Sequence, residues 1–97
     1  MKNWNVYIVK CFDDTLYCGS TNNIEKRINL HNTGKGAKYT KGRGPVELIV
    51  LKDGMTKSQA LSLEYKVKKQ KRKDKVEYLL SYDIKIKEKQ NGLHQKQ

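Results

Sequence analysis

Two closely spaced β-rich runs near the start, a third strand pattern after the chain's only proline, and amphipathic helical patterns between and after them predict an α+β fold. The expected architecture is a three-stranded antiparallel sheet flanked by helices. At 97 residues the chain suits a single small domain, expected over 1–83, and is too short for two. Residues 84–97 are polar and Lys-rich and are expected to form a disordered basic tail.

Trp4 to Cys11 (WNVYIVKC) is rich in β-branched and aromatic residues and predicts the first strand, and Thr15 to Gly19 (TLYCG) predicts the second. Phe12-Asp13-Asp14 between them is short and turn-forming, so the two should pair as a hairpin. Val46 to Lys52 (VELIVLK) follows Pro45 and stops at Asp53-Gly54, which predicts the third strand. A short helix is expected from Asn22 or Asn23, both good N-caps, to about Gly34, which suits the left-handed position beyond a helix end. Ile24, Arg27, Ile28 and His31 recur at i, i+3, i+4 and i+7, so a cation and an imidazole share the face that should point inward. GKGAKYTKGRG (34–44) interleaves glycines with Lys35, Lys38, Lys41 and Arg43 and predicts a flexible basic loop. Thr56 with Gln59 makes a capping box for a helix from Lys57 to about Gln70, whose apolar stripe is Ala60, Leu63 and Val67. Glu64 stands in that stripe. From Lys66 to Lys75 the chain is a basic run broken by one acid, Asp74, which is expected to cap a last helix bearing Val76, Leu79 and Leu80.

Lys and Arg number 21 against 10 Asp and Glu, a net charge of +11, and the partner such an excess attracts most easily is a polyanion. Cys11 and Cys18 are too few for a disulfide scaffold or a structural zinc site. The sequence has neither an apolar run of the ~18 residues a membrane span needs nor a hydrophobic leader, and a cytosolic protein is expected.

Tyr7, Tyr17, Arg27, His31 and Glu64 stand where packing alone would choose something else. Each also has an ordinary explanation. A strand tyrosine is usually a half-buried packing residue, Arg27 can snorkel, and His31 can complement a helix dipole. An isolated helix glutamate commonly pairs with a nearby lysine. The tyrosines share a face of the sheet only if the hairpin loop has an odd number of residues, because side chains alternate along a strand.

As an ordered set these residues resemble the GIY-YIG nuclease superfamily, and in particular its small stand-alone bacterial members, which are similar to the nuclease domain of the excision-repair endonuclease subunit. Asn5-Val6-Tyr7 stands for Gly-Ile-Tyr, Tyr17-Cys18-Gly19 for Tyr-Ile-Gly, and Arg27 with His31 follows one turn apart. Asn5-Val6 replaces the opening Gly-Ile and Cys18 the central isoleucine. The resemblance spans roughly residues 4 to 80. It implies a metal-dependent DNA endonuclease, acting in repair or recombination, with a tyrosine as general base and Glu64 as metal ligand, and Gly19 as a structural residue near the site.

The chemistry suits those residue types. In-line attack on a phosphodiester builds charge on oxygens, which calls for a cation and a metal, and something must take the proton from water. Glu64 can anchor one hydrated Mg²⁺ or Mn²⁺, and Arg27 can fork onto the phosphate. A tyrosine is a poor base at its ordinary pKa of about 10, so His31 is the expected relay. Tyr7 is expected to be the base and Tyr17 to orient water or phosphate. Lys35, Lys38, Lys41, Arg43, Lys68, Lys69, Lys71 and Arg72 are expected to hold DNA phosphates, duplex, branched or single-stranded, without reading bases. An unpaired carboxylate at Glu64 would be costly to desolvate, so its removal should leave stability unchanged or higher.

Two alternatives remain beside the endonuclease: a nucleic-acid-binding module on the same fold without catalysis, and a plain cytosolic protein, such as a ribosome-associated factor, with an incidental charge excess. The presence of all five residues favours the endonuclease, acting as a monomer on structure-directed or non-specific sites.

Overall fold

The computed structural model describes residues 2–35 and 40–82. Lys38 and the tail expected over 84–97 lie outside the described residues. The elements run β1 (Trp4–Lys10), β2 (Leu16–Thr21), α1 (Ile24–Asn32), β3 (Glu47–Met55), α2 (Lys57–Lys68) and α3 (Arg72–Ser81). One antiparallel sheet has the order β2-β1-β3. The central strand is covered on both faces, which is why Val6, Tyr7, Ile8 and Val9 are all fully buried.

The register pairs Lys10 with Leu16, so the hairpin loop is 11–15, an odd length. Tyr7 faces Gly19 and Tyr17 faces Val9 across the ladder, which places both tyrosines on one side. Cys11 belongs to the loop rather than to the first strand, where its N–H donates to the Thr15 carbonyl at 2.8 Å. Asp14 takes the left-handed conformation (φ 68°) at the bend. The second strand runs two residues beyond its expected end, carrying Ser20 and Thr21 into the sheet.

The helices start as their capping residues dictate. The Asn23 side chain accepts from the Lys26 N–H, and Thr56 and Gln59 form the reciprocal capping box. Gly34 (φ 79°) ends α1 in a Schellman arrangement, with Gly34 N–H on the His31 carbonyl and Lys35 N–H on Leu30. Two expectations need correction. The third strand starts one residue later than expected and does not stop at Asp53-Gly54, because Gly54 adopts a positive φ of 81° and lets pairing continue to Met55 opposite Trp4. Asp74 does not cap α3: Lys71 holds the N-cap position without a side-chain bond, and Asp74 lies in the first turn, where its charge favours the helix dipole.

The sheet separates two clusters. Val6, Ile8, Cys18, Val50 and Met55 pack on Ala60, Leu63 and Val67 of α2 and Leu79 of α3. On the opposite face Tyr7, Val9, Cys11 and Val46 pack with Tyr17 and with Ile24 and Ile28 of α1. Among the described residues no helix is long and apolar enough to cross a membrane.

Candidate active site

Tyr7 occupies the middle of the central strand and projects across β2 over Gly19. A Cβ at position 19 would lie 2.4 Å from the Tyr7 hydroxyl, so the close approach requires glycine there. The Tyr7 hydroxyl is 2.8 Å from His31 Nε2 and accepts from Arg27 Nε at 3.2 Å. His31 Nδ1 is 2.7 Å from Thr40 Oγ1, and both residues are buried. Arg27 can only donate, so the Tyr7 oxygen accepts from it, while the directions of the Tyr7–Nε2 and Nδ1–Thr40 bonds follow the imidazole tautomer.

Electrostatics follow from this packing. Burial pushes the Tyr7 phenol up to about 12, against the opposing pull of the Arg27 hydrogen bond. Burial, with the Arg27 charge second, holds His31 below the ordinary histidine value, which keeps the imidazole neutral. Arg27 is held above its ordinary value, chiefly by its hydrogen bond to Tyr7 and also by Tyr17. The Tyr17 ring stands 5.4 Å from His31 and 6.4 Å from Tyr7, centroid to centroid. These four side chains therefore form one cluster, built from two strands and one face of α1.

Glu64 comes from the other layer. Its carboxylate accepts from Ser20 Oγ at 2.6 Å on one oxygen and pairs with Lys68 Nζ at 2.8 Å on the other. The carboxylate is not the unpaired group expected in an apolar stripe: the stripe itself is buried, and Glu64 leans off its margin to the edge strand β2. The Lys68 ammonium also lies 5.3 Å from the Tyr17 ring centroid. Through that cation the Glu64 carboxylate meets the tyrosine cluster around the edge of β2. An open cleft of about 390 Å³ at this edge is lined by Leu16, Tyr17, Cys18, Lys68 and Lys75. Burial pushes the Cys18 thiol up to about 12, so it serves as a small apolar residue where the family pattern has isoleucine.

The basic residues divide by their contacts. Arg43 pairs with Asp13 at 3.2 Å and Arg72 donates to the Asp14 carbonyl, so both brace the hairpin loop. The Lys69 ammonium sits over the Tyr65 ring at 4.7 Å. Lys35, Lys41, Lys69 and Lys71 are exposed. Sequence reasoning missed Thr40, which looked like part of a plain glycine-rich connection, and Ser20 as the partner of Glu64. No periodicity marks either residue, since each acts across a loop or between layers.

A hairpin that sets one tyrosine over a glycine and a second tyrosine beside it, with an arginine and a histidine one helical turn apart against them, is the arrangement of a GIY-YIG catalytic domain. The family model for that domain matches residues 3–78. The chain belongs to the GIY-YIG family, whose domain implies a nuclease fold. It is 52% identical over 80 residues to a UPF0213 protein of Clostridium perfringens, covering 82% of this chain and 86% of that one. It is likewise 52% identical over 73 residues to the UPF0213 protein YazA of Bacillus subtilis, covering 75% and 74%. Among solved structures it resembles a UPF0213 protein of Bacillus halodurans at 41% identity and TM-score 0.50, covering 78% of this chain and 81% of that one. A protein of E. faecalis solved by solution NMR matches at 32% identity and TM-score 0.55, covering 100% and 98%.

Proposed function

We propose that this protein is an endonuclease that hydrolyses DNA phosphodiester bonds with one divalent ion, and that Tyr7, Tyr17, Arg27, His31 and Glu64 form its site. The observation that carries the reading is the hydrogen-bonded chain from half-buried Arg27 through buried Tyr7 and His31 to Thr40. Packing alone has no use for so many hydrogen-bonded polar groups beneath a cleft edge, and each would be costly if left unsatisfied.

Glu64 offers a hard carboxylate, and among the described residues no group of three or more His, Cys, Asp or Glu stands together as a soft or closed metal site would require. A single carboxylate fits Mg²⁺ or Mn²⁺, which keep several waters and take substrate oxygens. When bound, such an ion supplies positive charge to the phosphate oxygens as the bond breaks. The chain's own residues do the rest. Arg27 binds the phosphate. Tyr17 lines the cleft and is placed to orient water and receive its proton. We assign Tyr7, expected as the base, a positioning role: its buried phenol is hard to ionise and its hydroxyl bonds His31 and Arg27, while Arg27 also bonds Tyr17. Exposed lysines hold flanking phosphates.

The test is nicking of supercoiled plasmid with Mg²⁺ or Mn²⁺. Wild type is expected to nick and Glu64→Ala not to, with Tyr17→Phe slower by about 100-fold or more. Undiminished nicking by Glu64→Ala would sink the metal role. One observation favours the second reading, a binding module without catalysis: both Glu64 oxygens already have partners within the chain. Wild type that retains plasmid in a gel without cutting it would select that reading.

A further inference from the structure

Neither the tyrosine cluster nor a simple phosphate grip explains the placement of Lys68. It lies one turn after Glu64 on α2, with its ammonium 2.8 Å from a carboxylate oxygen, while Ser20 fills the other oxygen. A lysine that served only to hold DNA would point its charge outward. This one turns onto the Glu64 carboxylate while its own stem lines the cleft, and its ammonium reaches the Tyr17 ring.

We propose that Lys68 is a built-in counter-ion that stands in for the divalent cation at Glu64 and must leave before that cation binds. The inference rests on the metal role proposed for Glu64. Two cations within a few ångströms of one carboxylate repel, so a divalent ion cannot take the oxygen held by Lys68 without displacing the ammonium. Displacement is feasible because the Lys68 side chain is 46% exposed and sits on a flexible four-carbon stem, whereas Glu64 is only 18% exposed and is anchored by Ser20. The released ammonium has a destination in the same cleft, where an incoming phosphate would pair with it beside Lys75. Ion and phosphate binding thereby become coupled: a phosphate that captures Lys68 exposes Glu64 to the ion, and an ion on Glu64 frees Lys68 for the phosphate. Without substrate the site is held neutral and affinity for the ion is low.

The experiment titrates the purified full chain with Mn²⁺ alone and reads the unbound ion by electron paramagnetic resonance, so that no cleavage is needed. Wild type is compared with Lys68→Met, Lys68→Arg, Glu64→Gln and the double variant Lys68→Met/Glu64→Gln. Lys68→Met keeps the apolar stem and should bind Mn²⁺ about fivefold or more tightly than wild type, a coupling of ordinary size between sites. Lys68→Arg keeps the charge and should bind no more tightly than wild type. The double variant should lose the gain. Glu64-dependent Mn²⁺ binding that Lys68→Met leaves unchanged or weaker would overturn the counter-ion role alone. Lys68→Met binding that Glu64→Gln does not reduce, or no binding in any variant, would overturn the metal role of Glu64 and this inference with it.

Discussion

On the α2–α3 face of the sheet, Val6, Ile8, Cys18 and Val50 meet Ala60, Leu63, Val67 and Leu79 in an apolar cluster, whereas on the α1 face Tyr7 and Val9 share their space with a buried histidine and a buried threonine. The central strand β1 supplies both faces. The first gains from burial without conditions, because apolar area removed from water needs no partner. The second depends on every hydroxyl and ring nitrogen finding its mate, because an unsatisfied buried group costs about 1–3 kcal/mol. Unconditional stability is therefore concentrated on one side, and the polar groups of the proposed site on the other. Glu64 stands at the margin between them, where α2 reaches the edge strand.

The largest expected effect tests the apolar face. Leu63→Ala removes a fully buried side chain and should cost about 2–5 kcal/mol, lowering the melting temperature by about 10 °C or more in a circular-dichroism melt. Nicking below that new transition should persist. Gly19→Ala should do the reverse. Its Cβ meets the Tyr7 hydroxyl, so overpacking costs about 1–3 kcal/mol while Tyr7 is pushed off His31 and Arg27. Loss of cleavage larger than that in Leu63→Ala is the outcome that supports the division of labour, and Gly19→Ala cutting like wild type would break it.

Acid should weaken the α1 face specifically. His31 is held below its ordinary pKa when folded, so below about pH 6.5 the unfolded chain binds a proton that the folded chain resists. The unfolded state then carries more protons, and stability falls as pH falls, by up to about 1.4 kcal/mol per pH unit. Melts between pH 7 and 5 should show this slope in wild type and a flatter one in His31→Gln. An equal slope in both would remove His31 as the cause.

Smaller still is the expected cost of Glu64→Gln. Its pair with Lys68 is partly exposed, so losing the charge should cost about 0.5–1 kcal/mol, a drop of roughly 2–8 °C, rather than leaving stability unchanged or raising it. A rise would mean that the bonds to Ser20 and Lys68 do not compensate for desolvation. Replacing Lys35, Lys41, Lys69 and Lys71 together with alanine should barely move the melting temperature. In a binding titration on duplex DNA it should flatten the logarithmic salt slope by roughly 0.9 for each phosphate that the variant no longer neutralises. An unchanged slope would place the DNA-binding surface elsewhere.

Local chemistry in the sequence determined the strands, the first helix's cap to within Asn22 or Asn23, the Thr56–Gln59 capping box, the stripe of Ala60, Leu63 and Val67, and the shared face of Arg27 and His31. All of these depend on residues within a turn or two of each other, where periodicity and capping act. It also reduced the tyrosine geometry to one question, the parity of the hairpin loop, which the register of β1 with β2 answered. Only the tertiary structure brought Thr40 onto His31 across a loop and set Ser20 against Glu64 between two layers. It also extended β3 through Gly54 and filled the Glu64 carboxylate with Lys68. The last pair was open to the sequence as an i, i+4 couple, but its place at the rim of the tyrosine cluster was not. Spacing along a helix says which side chains can meet. The sheet edge that α2 packs against decides what their charges face.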